Sequence, residues 1–185
     1  MIQRFLKRWI TWIFVLGVAG AIGHFLILPK ILPLSCKNYV EKYAAQYHVE
    51  PSLVYAVIFC ESGFDPNAVS SAQAKGLMQV TDDTAIWAAR QIDGLDTETL
   101  QITDPETNIQ IGCWYLGWLL EKFDGNTQTS LAGYNAGHNK VATWLADEEK
   151  SKDGLTLDEI PYTETDNYVK KVVLIQKLYQ WLYRI

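Results

Sequence analysis

Glu61 stands at the end of an apolar run, Leu53-Val54-Tyr55-Ala56-Val57-Ile58-Phe59-Cys60. A carboxylate is disfavoured there twice over, because burial strips its hydration and the C-terminal end of a helix carries partial negative charge. Both effects raise its pKa. A carboxyl that keeps its proton near neutral pH is a general acid, suited to protonating a glycosidic oxygen. The other reading of the same position is a carboxylate turned outward into water, and periodicity alone leaves both open. Cys36, Cys60 and Cys113 form no CxxC pair and have no His partners at zinc spacing. Free thiols are therefore expected, with no metal and no cofactor.

The elements that must position Glu61 are helices. Tyr39, Val40, Tyr43, Ala44 and Tyr47 fall on one stripe of an amphipathic helix, and Pro51 opens a second, over Ser52 to about Ser62, that is apolar on nearly every face and belongs in a core centre. Gly63 and Pro66 stop it, and Phe64 to Lys75 reads as a loop. Thr81 with Asp82 and Asp83 starts a helix to about Gln91, and Asp104-Pro105 starts a long one through Phe123. Gly125-Asn126 turns the chain into a short helix around Ser130 to Asn135, and another covers Asn139 to Ala146. The acid-rich stretch Asp147 to Asp158 is a solvated loop, and a last helix runs from Thr165 to Tyr183, burying Tyr168, Val169, Val172, Ile175, Tyr179 and Leu182. The expected fold is mainly α, with at most a small β-hairpin near Gly76 to Thr81.

With 49% hydrophobic and 20% charged residues, the 185-residue chain is neither disordered nor a multi-span membrane protein, and its length suits one main domain. Arg4, Lys7, Arg8 and Lys30 give +4 through residue 30, leaving 12 bases against 21 acids, or −9, for residues 31–185. So acidic a domain is poorly matched to phosphate backbones, and no nucleic-acid partner is expected. The apolar run Trp9 to Leu28 is long enough for one transmembrane helix. The basic residues before it predict a cytoplasmic N-terminus and an extracytoplasmic domain, so the expected division is an anchor over 1–30 and a catalytic domain over 31–185. His24 is expected near a membrane interface. The competing reading is a signal peptide cleaved at Ala19-Gly20-Ala21, against which Ile22 and Phe25 to Leu28 prolong the apolar run. Cys36 is not a lipoprotein acceptor on this reading, since Pro33 occupies a position where an aliphatic residue is wanted.

The string from Glu61 to Gln79, Glu-Ser-Gly-Phe-Asp-Pro-Asn-Ala-Val-Ser-Ser-Ala-Gln-Ala-Lys-Gly-Leu-Met-Gln, resembles the signature of lytic transglycosylases of glycoside hydrolase family 23. Asp104-Pro105-Glu106-Thr107-Asn108, Gly133-Tyr134-Asn135-Ala136-Gly137 and Ile160-Pro161-Tyr162-Thr163-Glu164-Thr165 with Tyr168-Val169 resemble further motifs of that family, in the same order. The resemblance covers about residues 37–183. It departs at Gln73, where Gly is usual, at Asp82, where Pro is common, and at Gly133, where Ala is usual.

The resemblance implies a lysozyme-like helical domain that acts on peptidoglycan glycan strands. It would break the β-1,4 bond between N-acetylmuramic acid and N-acetylglucosamine without water and close a 1,6-anhydro ring, with Glu61 serving as acid and then as base. By position it implies substrate-side roles for Ser62, Met78, Gln79, Tyr134, Asn135 and Glu164, with the Tyr134 hydroxyl orienting Glu61. Met78 reads equally as core filling and Tyr134 as a structural tyrosine. Trp87, Trp114, Trp118 and Trp144 sit at helical spacing that favours core, with stacking on sugars as the alternative. The rival functions are a goose-type lysozyme-like hydrolase, which needs a second carboxylate to activate water, and a catalytically silent wall-binding scaffold.

Overall fold

The computed structural model describes residues 2–185, apart from the side chains of 2–7, 10, 11, 21, 24 and 25. It divides into two compact units, Met1–Ser35 and Cys36–Ile185.

In the first unit, helix α1 (Ile2–Ile22) passes into a π-helical turn (Gly23–Ile27) and a short helix α2 (Leu28–Ile31). The apolar run expected to make a single transmembrane helix is thus divided, its last third lying in the π-turn and α2. Among the described residues no helix is long and apolar enough to cross a membrane. Trp12, Ile13, Phe14 and Leu16 are each more than 60% exposed, so this helix presents an apolar surface. The expectation for His24 and the charges of Arg4 and Lys7 fall on side chains outside the description.

The second unit is helical: α3 (Lys37–Gln46), α4 (Pro51–Glu61), α5 (Asp82–Ala89), α6 (Pro105–Lys122), α7 (Thr127–Ala136), α8 (His138–Leu145) and α9 (Thr163–Tyr183). Local chemistry sets the starts. Pro51 and Pro105 occupy first helical positions, and the side chains of Thr81, Asp104 and Asn126 accept N–H bonds from Thr84, Thr107 and Thr129. Ser52 to Ile58 of α4 are all buried, so α4 is the central helix, packed against α9 and α3. Helix α7 packs on α6, α8 and α9. Helix α9 thus packs on both α4 and α7.

No strand forms among the described residues. In place of the small hairpin there are two isolated bridges, Val69 with Lys75 and Lys75 with Val80, inside the long α4–α5 connection. Lys75 and Val80 exchange both backbone hydrogen bonds at 2.9 Å, which closes the connection on itself. Gln73 lies at φ +61°, so the position where Gly is usual does require the left-handed conformation, and a glutamine adopts it.

Candidate active site

Glu61 is the last residue of α4, partly buried. Desolvation pushes its carboxyl pKa up to about 7, against smaller opposing effects of the Tyr168 hydroxyl and the Lys171 ammonium, both on α9. Of the two readings open from sequence, burial is the one found. The Tyr168 hydroxyl is itself buried and turned toward Glu61, where it favours the carboxylate, although the hydroxyl closes no hydrogen bond among the described residues. Tyr134 of α7 lies close enough for the Glu61 charge to raise its already high phenol pKa.

Ser62, Gln79, Asn108 and Tyr134 hold one short backbone segment, 75–79. Ser62 donates to the Leu77 carbonyl at 2.8 Å and accepts from the Phe64 N–H at 3.1 Å. Tyr134 donates to the Met78 carbonyl at 2.8 Å. The Gln79 amide donates to the carbonyls of Ala68 and Gly76, and Gln79 itself sits at φ +48°. Asn108, 1% exposed on α6, completes the clamp: its oxygen accepts the Met78 N–H at 2.7 Å, and its nitrogen donates to the carbonyls of Lys75 and Ile102 at 2.9 and 2.8 Å. Gly76 makes this approach feasible, since a Cβ there would lie 2.4 Å from the Asn108 nitrogen.

These bonds show what each expected site residue touches. The Ser62 hydroxyl is committed to the backbone on both its donor and acceptor sides, so it builds the loop. Met78 is fully buried, and its sulfur and methyl pack where Gly112 leaves room; it is core filling. The Tyr134 hydroxyl donates to Met78 and not to Glu61; the phenol turned toward the carboxyl is Tyr168. Asn135 is exposed and accepts from the Thr165 hydroxyl at 2.8 Å, tying the end of α7 to the first turn of α9. Glu164, beside Thr165, stands exposed in that first turn, where its charge complements the helix dipole.

Gln79, Tyr134 and Asn135 do share a pocket of about 230 Å³, with Thr84 and Tyr115 on its other sides. Sequence reasoning missed Asn108 and Tyr168 as site builders. Both lay inside quoted motifs, and a buried asparagine one turn into a helix was the available signal. Of the tryptophans, Trp144 is buried edge-on to Tyr162, whereas Trp87, Trp114 and Trp118 are only half-buried. The cysteines are free thiols.

Residues 38–156 match the family model described as Transglycosylase SLT domain. The chain belongs to this family. It is 33% identical over 157 residues to the soluble lytic murein transglycosylase of Escherichia coli K12, covering 83% of this chain and 24% of the relative. It is 31% identical over 195 residues to the membrane-bound lytic murein transglycosylase C of Actinobacillus pleuropneumoniae serotype 5b, covering 93% and 51%. The crystal structure of the 70 kDa soluble lytic transglycosylase of Escherichia coli superposes with a TM-score of 0.73 at 30% identity, over 84% of this chain and 26% of that one. An inactive mutant of the lytic transglycosylase Slt of Pseudomonas aeruginosa gives 0.74 at 27% identity, over 97% and 29%. The SLT fold here is thus the lysozyme-like helical one, and the chain spans between a quarter and a half of these relatives.

Proposed function

We propose that this protein is a membrane-anchored peptidoglycan lytic transglycosylase in which one carboxyl, Glu61, acts first as acid and then as base. The observation that carries the reading is the environment of that carboxyl: at the end of the core helix, desolvated, with a pKa near 7. In the first step protonated Glu61 donates to the glycosidic oxygen as its bond to the muramic C1 breaks, while the substrate's own acetamido carbonyl stabilises C1. In the second step the Glu61 carboxylate takes the proton of the C6 hydroxyl as that oxygen bonds to C1. The proton balance returns the enzyme to its starting form, and the product ends in a 1,6-anhydro ring. A pKa near the working pH suits a group that must both give and take a proton. Tyr168 is the positioning residue, a donor that holds the carboxylate form without neutralising it.

Among the described residues, the groups that shift the Glu61 pKa are Tyr168 and Lys171, neither of them a carboxylate. That favours the non-hydrolytic route over a lysozyme-like hydrolase, which needs a second carboxylate to activate water. The relatives' names support the same reading, as does the Pseudomonas aeruginosa protein, an inactive mutant with glutamine in place of a glutamate. Another similar structure is a complex of the 70 kDa soluble lytic transglycosylase with bulgecin A. Glu61→Gln tests the assignment: it should fold and bind sacculi yet lose at least a factor of about 10²–10⁴ in cleavage rate. A retained rate would end it.

The anchor rests on the apolar unit ahead of Cys36, its basic flank and its exposed tryptophan, isoleucine, phenylalanine and leucine side chains. The protein should leave membranes with detergent and not with salt, and its catalytic domain should be open to protease from outside the cell. Recovery of the full chain from the medium would remove the anchor from the account.

A further inference from the structure

The pocket holding Gln79, Tyr134 and Asn135 does not end in solvent on every side. Thr84 is one of its walls, and one helical turn further along α5 stands Trp87. Tyr115 is another wall, and one turn further along α6 stands Trp118. Gly137 is a third, and the next residue is His138. These three successors meet one another: Trp87 and Trp118 edge-on at 4.8 Å between ring centroids, Trp118 and His138 edge-on at 4.9 Å, Trp87 and His138 at 5.8 Å. All three are half-buried, and Tyr115 lies nearly parallel to Trp118, which carries the aromatic surface from the pocket outward. Trp118 also borders a second, larger depression of about 600 Å³ together with Trp114, Tyr47 and His48.

We propose that Trp118, framed by Trp87 and His138, is the stacking shelf of a distal sugar subsite, so that a glycan strand seated in the pocket of Gln79, Tyr134 and Asn135 continues over this shelf into the larger depression. The inference rests on the reading that this pocket binds a glycan strand. Its physical basis is the two-sided chemistry of a pyranose, which presents C–H groups on its faces and hydroxyls on its rim. Half-buried aromatic rings with polar neighbours suit that combination, each ring having an apolar face and, in Trp and His, a polar edge. Burial and the nearby Lys122 both hold the His138 imidazole pKa below the usual value. The Lys122 ammonium lies 5.2 Å from the centroid of the Trp118 ring, which fixes the ring from one side.

A subsite of this kind makes cleavage depend on substrate length. The experiment measures kcat/KM for purified glycan strands, long ones against a tetrasaccharide, in the wild-type protein and in Trp118→Ala, Trp118→Leu and Trp118→Phe. The long-to-short ratio should fall about three- to tenfold in the Ala variant and in the Leu variant, which keeps apolar volume without a ring, and should recover in the Phe variant. Trp181→Ala, an exposed tryptophan elsewhere, should leave the ratio unaltered. An unchanged ratio in a folded Trp118→Leu protein, or equal losses on both lengths, would overturn the subsite. The ratio is read whatever chemical end the products carry. A wild-type protein that cleaves with the expected length dependence but leaves no anhydro ends would instead overturn the transglycosylase reading alone.

Discussion

The buried hydroxyl of Tyr168 faces the carboxyl of Glu61 and closes no hydrogen bond among the described residues. A phenol that donates toward a carboxylate lowers the pKa that desolvation has raised, so Tyr168 sets how far the Glu61 pKa climbs. In Tyr168→Phe that opposing effect is gone. Activity, which needs the protonated acid in its first step, should then persist to higher pH, its falling limb displaced above the wild-type position near 7, while the rate below the limb drops through poorer positioning. In His138→Gln the limb should stay in place. A limb that moved with His138 and not with Tyr168 would assign the titration to the imidazole.

The same pKa has a consequence for stability. Glu61 has a folded pKa above its unfolded value, so its protonated form is favoured by folding: the contribution is fully present below about pH 4.5 and is lost as pH rises through about 7. Glu61→Gln carries no such loss. Its stability relative to wild type should rise between these pH values and level off above them at about 1–3 kcal/mol. Urea unfolding of both proteins at acidic and alkaline pH measures the difference, and a gap independent of pH would show that Glu61 ionises as freely folded as unfolded.

Asn108 holds three backbone groups of buried or partly buried chain. Asn108→Ala strands all three and should cost about 2–4 kcal/mol, since each unsatisfied buried group costs about 1–3 kcal/mol and some regain water. Asn108→Asp keeps the acceptor for Met78 but cannot donate to Lys75 and Ile102 when ionised, and should also destabilise. Thermal unfolding of the two variants tests this; a shift within error would mean that the loop is held without Asn108.

Gln73 occupies a left-handed backbone position, φ +61°, with its side chain exposed. Left-handed conformation costs a non-glycine residue about 1–2 kcal/mol, offset in part by the greater unfolded freedom of glycine. Gln73→Gly should therefore stabilise by about 0.5–1 kcal/mol without altering cleavage. Destabilisation would point to a role for the glutamine side chain.

The parts of this molecule legible in sequence are those decided by near neighbours. Thr81, Asp104 and Asn126 cap helices three residues away, Pro51 and Pro105 fix first turns, and the apolar run before Glu61 marks the central helix. Ser62, Met78 and Tyr134 were less legible because their partners lie 15, 30 and 56 residues away, and only the packed fold decides whether a hydroxyl meets a sugar or a carbonyl. The π-helical turn at Gly23–Ile27 has no local signature in an unbroken apolar run, so the division of the first unit was not foreseen. Three of the four tryptophans whose spacing favours core remain half-buried, since a helical stripe gives direction but not the depth of what covers it.

In this mechanism one carboxyl carries out both steps and water takes no part. Mass spectrometry of the glycan ends released from purified sacculi tests it most directly. Every new muramic end should carry the 1,6-anhydro ring, lighter by one water than a reducing end, and these ends should vanish with Glu61→Gln. Reducing ends as the main product of the wild-type protein would contradict it.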